Sequence, residues 1–316
     1  MTNYAPDTLP RLVDQGLVVI DASAEVAQDV QFSYSDSSYQ DVIRIGKNCR
    51  IASGTILYSG AFINDNVQIG HHTVIGAGAS IGRNSVIGNA CVIGDDVHIG
   101  IKNTIQHHSV IIGRTEIGDN NEIGPFVTIG TEPQHPRIPH AHQPVRIGNN
   151  NVIREYCSVH GSAEDLTQIG NGCYIMAYNC INHDVIVDDH VTMANNCNIA
   201  GYVHIKHHAN FGMGCVVHQY SVIGAGAMLG MGSIVTKDIP PYVLFYAGQV
   251  HRLNTIGIHR IGHSDEEIQA LRDWYRSDAT IPLNERGSGD CDGWWHEDVK
   301  LFLEKSHRKI CDLSSI

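Results

Sequence analysis

From Ile45 to Ile129 every sixth residue is aliphatic: Ile45, Ile51, Leu57, Ile63, Ile69, Ile75 and onward to Ile117, Ile123 and Ile129. At most of them a glycine follows, as in Ile69-Gly70, Ile75-Gly76, Ile81-Gly82 and Ile87-Gly88. Neither an amphipathic helix nor an alternating strand repeats every six residues. A parallel β-helix of hexapeptides does. Each hexapeptide supplies a short strand and a corner. Its aliphatic residue points inward, and its glycine is expected to take a corner dihedral that a Cβ opposes. Three hexapeptides, about 18 residues, close one triangular coil. Coils stack at roughly 4.8 Å, so residues one coil apart stand above one another.

Taken in order, Thr8–Gly16 predicts one or two helical turns. The first coil starts near Val18, because Ile20, Val26 and Phe32 are already in phase. Residues 33–41 read as a polar loop. Residues 131–146 are an insertion in which proline, histidine and arginine replace the hexapeptide, and residues 160–168 form a shorter loop. Phase then holds from Ile169 to Val235. Pro240-Pro241 is expected to end the ladder, since proline donates no backbone hydrogen bond. The division that follows is a lead-in over 1–17, the β-helix over 18–240 and a helical region over 241–316. In the last, Ser264 and Glu267 form a capping box, Ile268, Leu271 and Tyr275 make a helical stripe, and Trp294–Ile310 predicts a further helix. These helices are expected to cover the open strand edges at the end of the coil stack.

The chain has 316 residues and a formal charge of −12, with no basic cluster, which argues against nucleic acid as a partner. No apolar run is long enough to span a membrane, and Met1–Pro10 is too polar for a signal peptide, so a cytoplasmic protein is expected. Nine cysteines are scattered without a CxxC pair, as buried thiols of a reducing compartment rather than a disulfide frame.

A prism filled with aliphatic side chains has no interior pocket. A site must lie on an outer face, between subunits or under a loop. His183 follows the inward Ile181 by two residues, which makes it an outward corner residue, and Asp184 follows it. Gly201 falls one coil above His183, and Gln219 one coil above Gly201. His218 replaces the usual glycine after Val217. A histidine beside a carboxylate, with a bare glycine amide one coil away, suits acyl transfer. The imidazole takes a proton from an attacking hydroxyl or amine, the carboxylate orients the ring, and a backbone N–H steadies the oxyanion. His71 and His207 occupy equivalent corners, and the chain has twenty histidines, so spacing alone leaves a structural role for His183 open.

From Ile147 to Glu267 the chain resembles the UDP-N-acetylglucosamine acyltransferases, the first enzymes of lipid A synthesis. The resemblance is carried by Arg154-Glu155-Tyr156-Cys157-Ser158-Val159-His160, Ile181-Asn182-His183-Asp184, Ala194-Asn195-Asn196, Ile199-Ala200-Gly201, Val217-His218-Gln219-Tyr220, Pro240-Pro241-Tyr242-Val243 and Asn254…Gly257-Ile258-His259-Arg260…Gly262. It implies a left-handed parallel β-helix, a homotrimer and active sites between adjacent subunits. By position it implies His183 as general base, Asp184 as its carboxylate and Gly201 as the oxyanion amide. It places His218 and Gln219 along the acyl-donor and sugar sites, and Asn254 and Arg260 at donor- or nucleotide-contacting positions. Gln134 and Arg137 fall where the family has a glutamine and a phosphate-binding lysine.

Four positions depart from the family pattern on the acceptor side. Cys180 stands for a histidine three residues before the base, and Tyr202 for the histidine after the oxyanion glycine. His160-Gly161-Ser162-Ala163 lacks the family's arginine, and Ile256 replaces an acidic residue. Met231 falls where the family sets acyl length, one coil above Met213, which points to a shortened acyl preference. The resemblance implies a thioester co-substrate, on acyl carrier protein or coenzyme A, and a nucleotide-sugar acceptor acylated on a hydroxyl or an amine, with no further cofactor. Docking of an acidic carrier calls for a basic patch, for which Arg252, Arg260, Arg272 and Arg276 are candidates. Two other classes remain: a γ-carbonic-anhydrase-like zinc enzyme using His183, His204 and His208, and a non-catalytic scaffold.

Overall fold

The computed structural model of the chain describes residues 2–3, 9–34, 41–134, 144–277, 293–313 and 316. Most hexapeptides deliver a two-residue strand whose second residue is the inward aliphatic, as in Val74–Ile75, Ser80–Ile81 and Val86–Ile87. Each strand pairs in parallel with its counterpart one coil on. Ile75 lies opposite Ile93, Ile81 opposite Ile99 and Ile87 opposite Ile105. Strands taken every third one along the chain build three sheets, of 12, 11 and 13 described strands. They are the three faces of a prism. Face one includes Val74–Ile75 and Cys180–Ile181, face two Ser80–Ile81 and Ile186–Val187, and face three Val86–Ile87 and Thr192–Met193.

The aliphatic column is the core. Ile75, Ile81 and Ile93 are 0% exposed and Ile87 is 1% exposed. Each such burial stabilises the fold by about 1.5–3 kcal/mol. The insertion and the shorter loop leave the ladder intact. Ile117 pairs with Ile147 and Ile129 with Val159 across the first, and Ile147 pairs with Ile169 and Val159 with Ile181 across the second. The loops are narrower than the sequence suggested. Ser33 and Tyr34 belong to the strand Gln31–Tyr34, and Thr167 and Gln168 to Thr167–Ile169.

The reason for the repeated glycine differs from the one expected. The left-handed corner residue stands three after the inward aliphatic, and asparagine, aspartate, histidine or an aromatic residue often holds it, as at Asn66, His72, Asp96 and Tyr156, with φ between 54° and 61°. The glycine directly after the aliphatic is kept by crowding. A Cβ on Gly76 would lie 2.5 Å from the backbone nitrogen of Asp95, one coil above.

Pro240-Pro241 does not end the ladder. Val243–Tyr246 pairs in parallel with Met228–Leu229 on face three, and Gln249–Leu253 then turns back antiparallel along it. The prolines sit at the corner between faces two and three. Ile239 still bridges Ile223, and Tyr242 takes the left-handed φ of 60°. At that corner no proline N–H is called on by the ladder.

Among the described residues four helices flank the coils: α1 (Leu9–Asp14), α2 (Thr255–Arg260), α3 (Asp265–Ser277) and α4 (His296–Lys305). The capping box at α3 forms as expected: the Ser264 N–H donates to the Glu267 carboxylate at 2.8 Å, and the Glu267 N–H to the Ser264 hydroxyl at 3.3 Å. Leu271 and Tyr275 of α3 and Phe302 of α4 are buried in the same apolar cluster as Tyr242. The helix expected to run to Ile310 stops at Lys305. Beyond it, buried Asp238 accepts from the Ser306 hydroxyl at 2.6 Å and the Arg308 N–H at 3.2 Å, and the chain bridges Asp238 at Ile310.

One ionic latch holds α4 to the prism. Asp298 accepts from Tyr242 Oη and lies 2.6 Å from His207 Nε2. The hydrogen bond to Asp298 raises the His207 pKa above 6.5. For Asp298, burial alone would raise the pKa, but its bonds to His207 and Tyr242 outweigh burial and bring it below 3.8. A raised histidine contributes stability below its unfolded pKa and loses it as pH climbs through the folded value. A lowered carboxylate contributes above its unfolded pKa and loses it as pH falls. The latch is therefore strongest between about pH 4 and 6.5. Protection factors of the α4 amides, with the intrinsic rise of exchange with pH divided out, should fall as pH rises above that window, and His207→Gln should flatten this alkaline limb. An equally steep limb in the variant would remove the latch as its cause.

Candidate active site

The corner after Cys180–Ile181 carries His183 between faces one and two. Its neighbour Asp184 is the left-handed residue of that corner, with φ 57°. This conformation swings the carboxylate back beside the ring, so His183 Nδ1 lies 2.9 Å from Asp184 Oδ2. Nδ1–H donates there, which leaves the lone pair on Nε2, the tautomer a proton acceptor needs.

The corner is not an open one. His183 is 7% exposed and Asp184 8% exposed. The loop between His160 and Thr167 folds over them. The N–H groups of Ala163, Glu164 and Asp165 donate to the Asp184 carboxylate at 2.8, 3.0 and 2.9 Å. The Asp184 N–H donates to Thr167 Oγ1 at 2.8 Å. Burial pushes the Asp184 pKa up. The amides of Asp165, Ala163 and Glu164, together with His183, more than offset that and hold it below 3.8. A carboxylate held ionised in a dry corner is suited to stabilising an imidazolium next to it. His160 is buried nearby, and both burial and the proximity of His183 lower its pKa.

Gly201 lies where the stacking places it. A Cβ there would fall 2.5 Å from His183 Cε1, so the ring occupies the space the glycine leaves empty. Its amide is left without a protein acceptor among the described residues. At some corners an asparagine or aspartate one coil above accepts the corner N–H, as Asp65 does for Lys47, Asn89 for His71 and Asp95 for Ala77, each at 2.8 Å, whereas others, such as that of Asp65 itself, go uncapped. Above Gly201 stands Gln219, and among the described residues no group accepts the Gly201 N–H. An uncapped amide beside a carboxylate-held imidazole can donate to a developing oxyanion.

Tyr202 stands edge-on to His183, with ring centroids 5.1 Å apart, and stacks on Tyr220 at 4.6 Å. Burial and a hydrogen bond to Glu164 raise the Tyr202 pKa. Cys180 is half-buried on face one, 3.8 Å from Asn182 Nδ2. His218 and Gln219 lie on the same edge. Gln134 and His160 leave face one at that edge too, whereas Asn254, Arg260 and Met231 lie elsewhere. Asn254 caps α2, accepting from the Gly257 N–H at 3.1 Å, and donates to the Gly226 carbonyl at 2.9 Å, at the edge between faces two and three. Arg260 is exposed at the end of the same helix. Met231, 69% exposed, is on the third edge, between faces three and one. Gln134 is exposed where the chain leaves Thr128–Thr131, and Arg137 lies outside the described residues. The loop amides over Asp184 and the Thr167 hydroxyl were missed by sequence reasoning. Backbone donors leave no residue signature.

The histidines of the zinc alternative are engaged separately. His204 pairs with Asp188 at 3.0 Å and His208 stacks on His190 at 5.0 Å. Among the described residues no three ligand-type side chains converge. No described helix is long and apolar enough to cross a membrane.

Residues 238–278 match the domain described as Udp N-acetylglucosamine O-acyltransferase, domain 2, and residues 60–95 and 166–201 match the bacterial transferase hexapeptide, six repeats. An acyl-[acyl-carrier-protein]–UDP-N-acetylglucosamine O-acyltransferase from Burkholderia lata is 38% identical over 161 residues, 49% of this chain and 62% of that one. The chain thus matches about three fifths of that relative's length. The same-named protein of Burkholderia thailandensis is 36% identical over 60% of this chain and 78% of its own length. The crystal structure of a UDP-N-acetylglucosamine acyltransferase from Bacteroides fragilis superposes with a TM-score of 0.68 at 27% identity, covering 77% of this chain and 98% of that one. With 78% of the B. thailandensis protein matched at 36% identity, this chain belongs to the UDP-N-acetylglucosamine O-acyltransferase family.

Proposed function

We propose that the protein moves an acyl group from a thioester, carried on acyl carrier protein, to a hydroxyl of UDP-N-acetylglucosamine or a close nucleotide sugar. The observation that carries this reading is the His183–Asp184 pair set against the uncapped Gly201 amide. His183 Nε2 takes the acceptor proton as the oxygen attacks the thioester carbonyl. Asp184 holds Nδ1–H and stabilises the imidazolium. The Gly201 N–H donates to the tetrahedral oxyanion. The intermediate collapses, the carbon–sulfur bond breaks, and the departing thiolate takes the proton back from His183. No metal is called for in these steps.

The predicted residues lie on all three edges of one prism, which supports a site completed by neighbouring copies, and a homotrimer is the assembly proposed. Face one offers a surface for it. Its outward residues Ile56, Val74, Val92 and Val110 form an aliphatic ladder, and Phe126, Tyr156 and Tyr178 stack along the adjoining edge at 5.2 and 4.9 Å. Light scattering of the purified protein should return three times the chain mass, and a monomer would defeat this part of the reading.

The test of activity is to incubate the protein with UDP-N-acetylglucosamine and acyl carrier protein loaded with chains of graded length, with coenzyme A thioesters in parallel. A product heavier by one acyl group supports the reading, and no product with any donor overturns it. Release of that acyl group by mild base marks an ester and resistance marks an amide, which separates O- from N-transfer.

Between His183 and Met231 the outer side of face one presents Asn198, then Val216 and Ile234, the last two 43% and 67% exposed. Beyond Asn198 this is an apolar path for an acyl chain, with Met231 at its far end. Met231→Gly should move the preferred donor to a longer chain. An unchanged optimum would show that the methionine does not measure chain length.

A further inference from the structure

The tail beyond α4 returns to the edge that carries His183. There Arg308 Nη1 donates to the Gln219 carbonyl at 2.6 Å and lies 3.0 Å from His218 Nδ1, while Nη2 donates to the Thr236 carbonyl at 3.0 Å. The backbone beneath it is pinned as well. The Asp238 N–H donates to the Lys309 carbonyl at 3.1 Å and the Cys311 N–H to the Asp238 carbonyl at 3.0 Å. Among the described residues Arg308 faces no carboxylate in an ion pair.

His218 Nδ1 also lies 3.2 Å from the Gln219 carbonyl. The two contacts exclude one another. The carbonyl contact needs a proton on Nδ1, and the Arg308 contact needs a lone pair there. A guanidinium carries donors only and keeps its charge. The Gln219 carbonyl has two lone pairs and does not decide between the two contacts, but a protonated Nδ1 would set its N–H against the Arg308 Nη1 donor at 3.0 Å, closer than the 3.2 Å to the carbonyl. Nδ1 therefore accepts, and the ring proton sits on Nε2.

We propose that Arg308 is a positioning residue: it locks His218 as the Nε2–H tautomer and so presents a hydrogen-bond donor to a ligand oxygen at the catalytic edge. His218 stands one coil beyond Ala200, next to Gln219, which stacks over Gly201 and so over His183. A cleft of about 530 Å³ opens on the same edge, walled by Asp184, Tyr202, Tyr220 and Arg308 though not by His218 itself. The ligand is a substrate oxygen of the acyl-transfer reaction, so this part rests on the proposed function. The tautomer itself does not.

The experiment uses full-length protein with ¹⁵N-labelled histidine, read by long-range proton–nitrogen correlation near pH 8, above the ordinary histidine range of about 6.5. His218→Gln assigns the ring by removing its signals. The native protein should show His218 as Nε2–H. Arg308→Met should hand the proton to Nδ1, which then meets the Gln219 carbonyl, and Arg308→Lys, which still donates, should keep the native form. Nδ1–H in the native protein, or no change in Arg308→Met, overturns the lock. These spectra are readable whether or not the protein acylates a nucleotide sugar. Where it does, Arg308→Met should raise a substrate KM by about 3- to 30-fold with kcat little changed. The double variant with His218→Gln should be no worse than His218→Gln alone. Effects that multiply would mean that Arg308 does not act through His218.

Discussion

Replacing His183 with alanine lowers the rate of acyl transfer by about 10²–10⁴ while the coils stay folded. The size follows from the loss of a positioned base, and the survival of the fold follows from how Asp184 is held. Three loop amides still reach its carboxylate when the ring is gone, at 2.8, 3.0 and 2.9 Å. The buried charge is therefore not stranded, and the cover over the corner keeps its anchor. The loss should fall on kcat, because the imidazole works on a proton that moves only in the transition state. Steady-state kinetics at saturating acceptor would measure it, with thermal unfolding to confirm that the prism is intact. A variant that keeps more than about a tenth of the native rate would remove His183 from the role of base.

Much of this arrangement was legible in the sequence, because the β-helix converts spacing into position. Ile75, Ile93 and Ile111 stack because they are one coil apart, and the same spacing alone puts Gly201 over His183. The capping box of Ser264 and Glu267 was equally plain, since side chains make it. What failed to show was made by the backbone. The amides of Ala163, Glu164 and Asp165 bury a corner that spacing alone read as open. The corner glycine was misread for a related reason. Its cost is a close approach to the next coil, at Gly76 to Asp95, whereas the positive φ sits two residues later, where Asn84, His72 or Asp96 tolerates it. The last helix ends at Lys305, short of the Ile310 expected from sequence. Buried Asp238, distant in sequence, takes the tail's donors instead. Tertiary partners of this kind leave no local trace.

Gly201→Ala should cost about 10²–10³ in kcat, a larger effect than the addition of one methyl group to a surface corner usually has. The new Cβ would lie 2.5 Å from Cε1 and 2.8 Å from Nε2 of His183. Real side chains do not sit that close, so the ring must move. It has little room. Asp184 holds Nδ1, the loop above Asp184 closes the corner, and the edge of Tyr202 stands against it at 5.1 Å. The ring can yield only by stretching the bond to Asp184 or by turning Nε2 away from the acceptor. The same methyl group also crowds the approach to the uncapped Gly201 amide, so base and oxyanion donor fail together. Overpacking at such a site costs about 1–3 kcal/mol of stability, small beside the many coils that remain. Circular dichroism and oligomer mass should therefore match the native protein while turnover collapses. Near-native turnover would mean that the ring of His183 does not rest on Gly201, and the shared corner of base and amide would have to be abandoned.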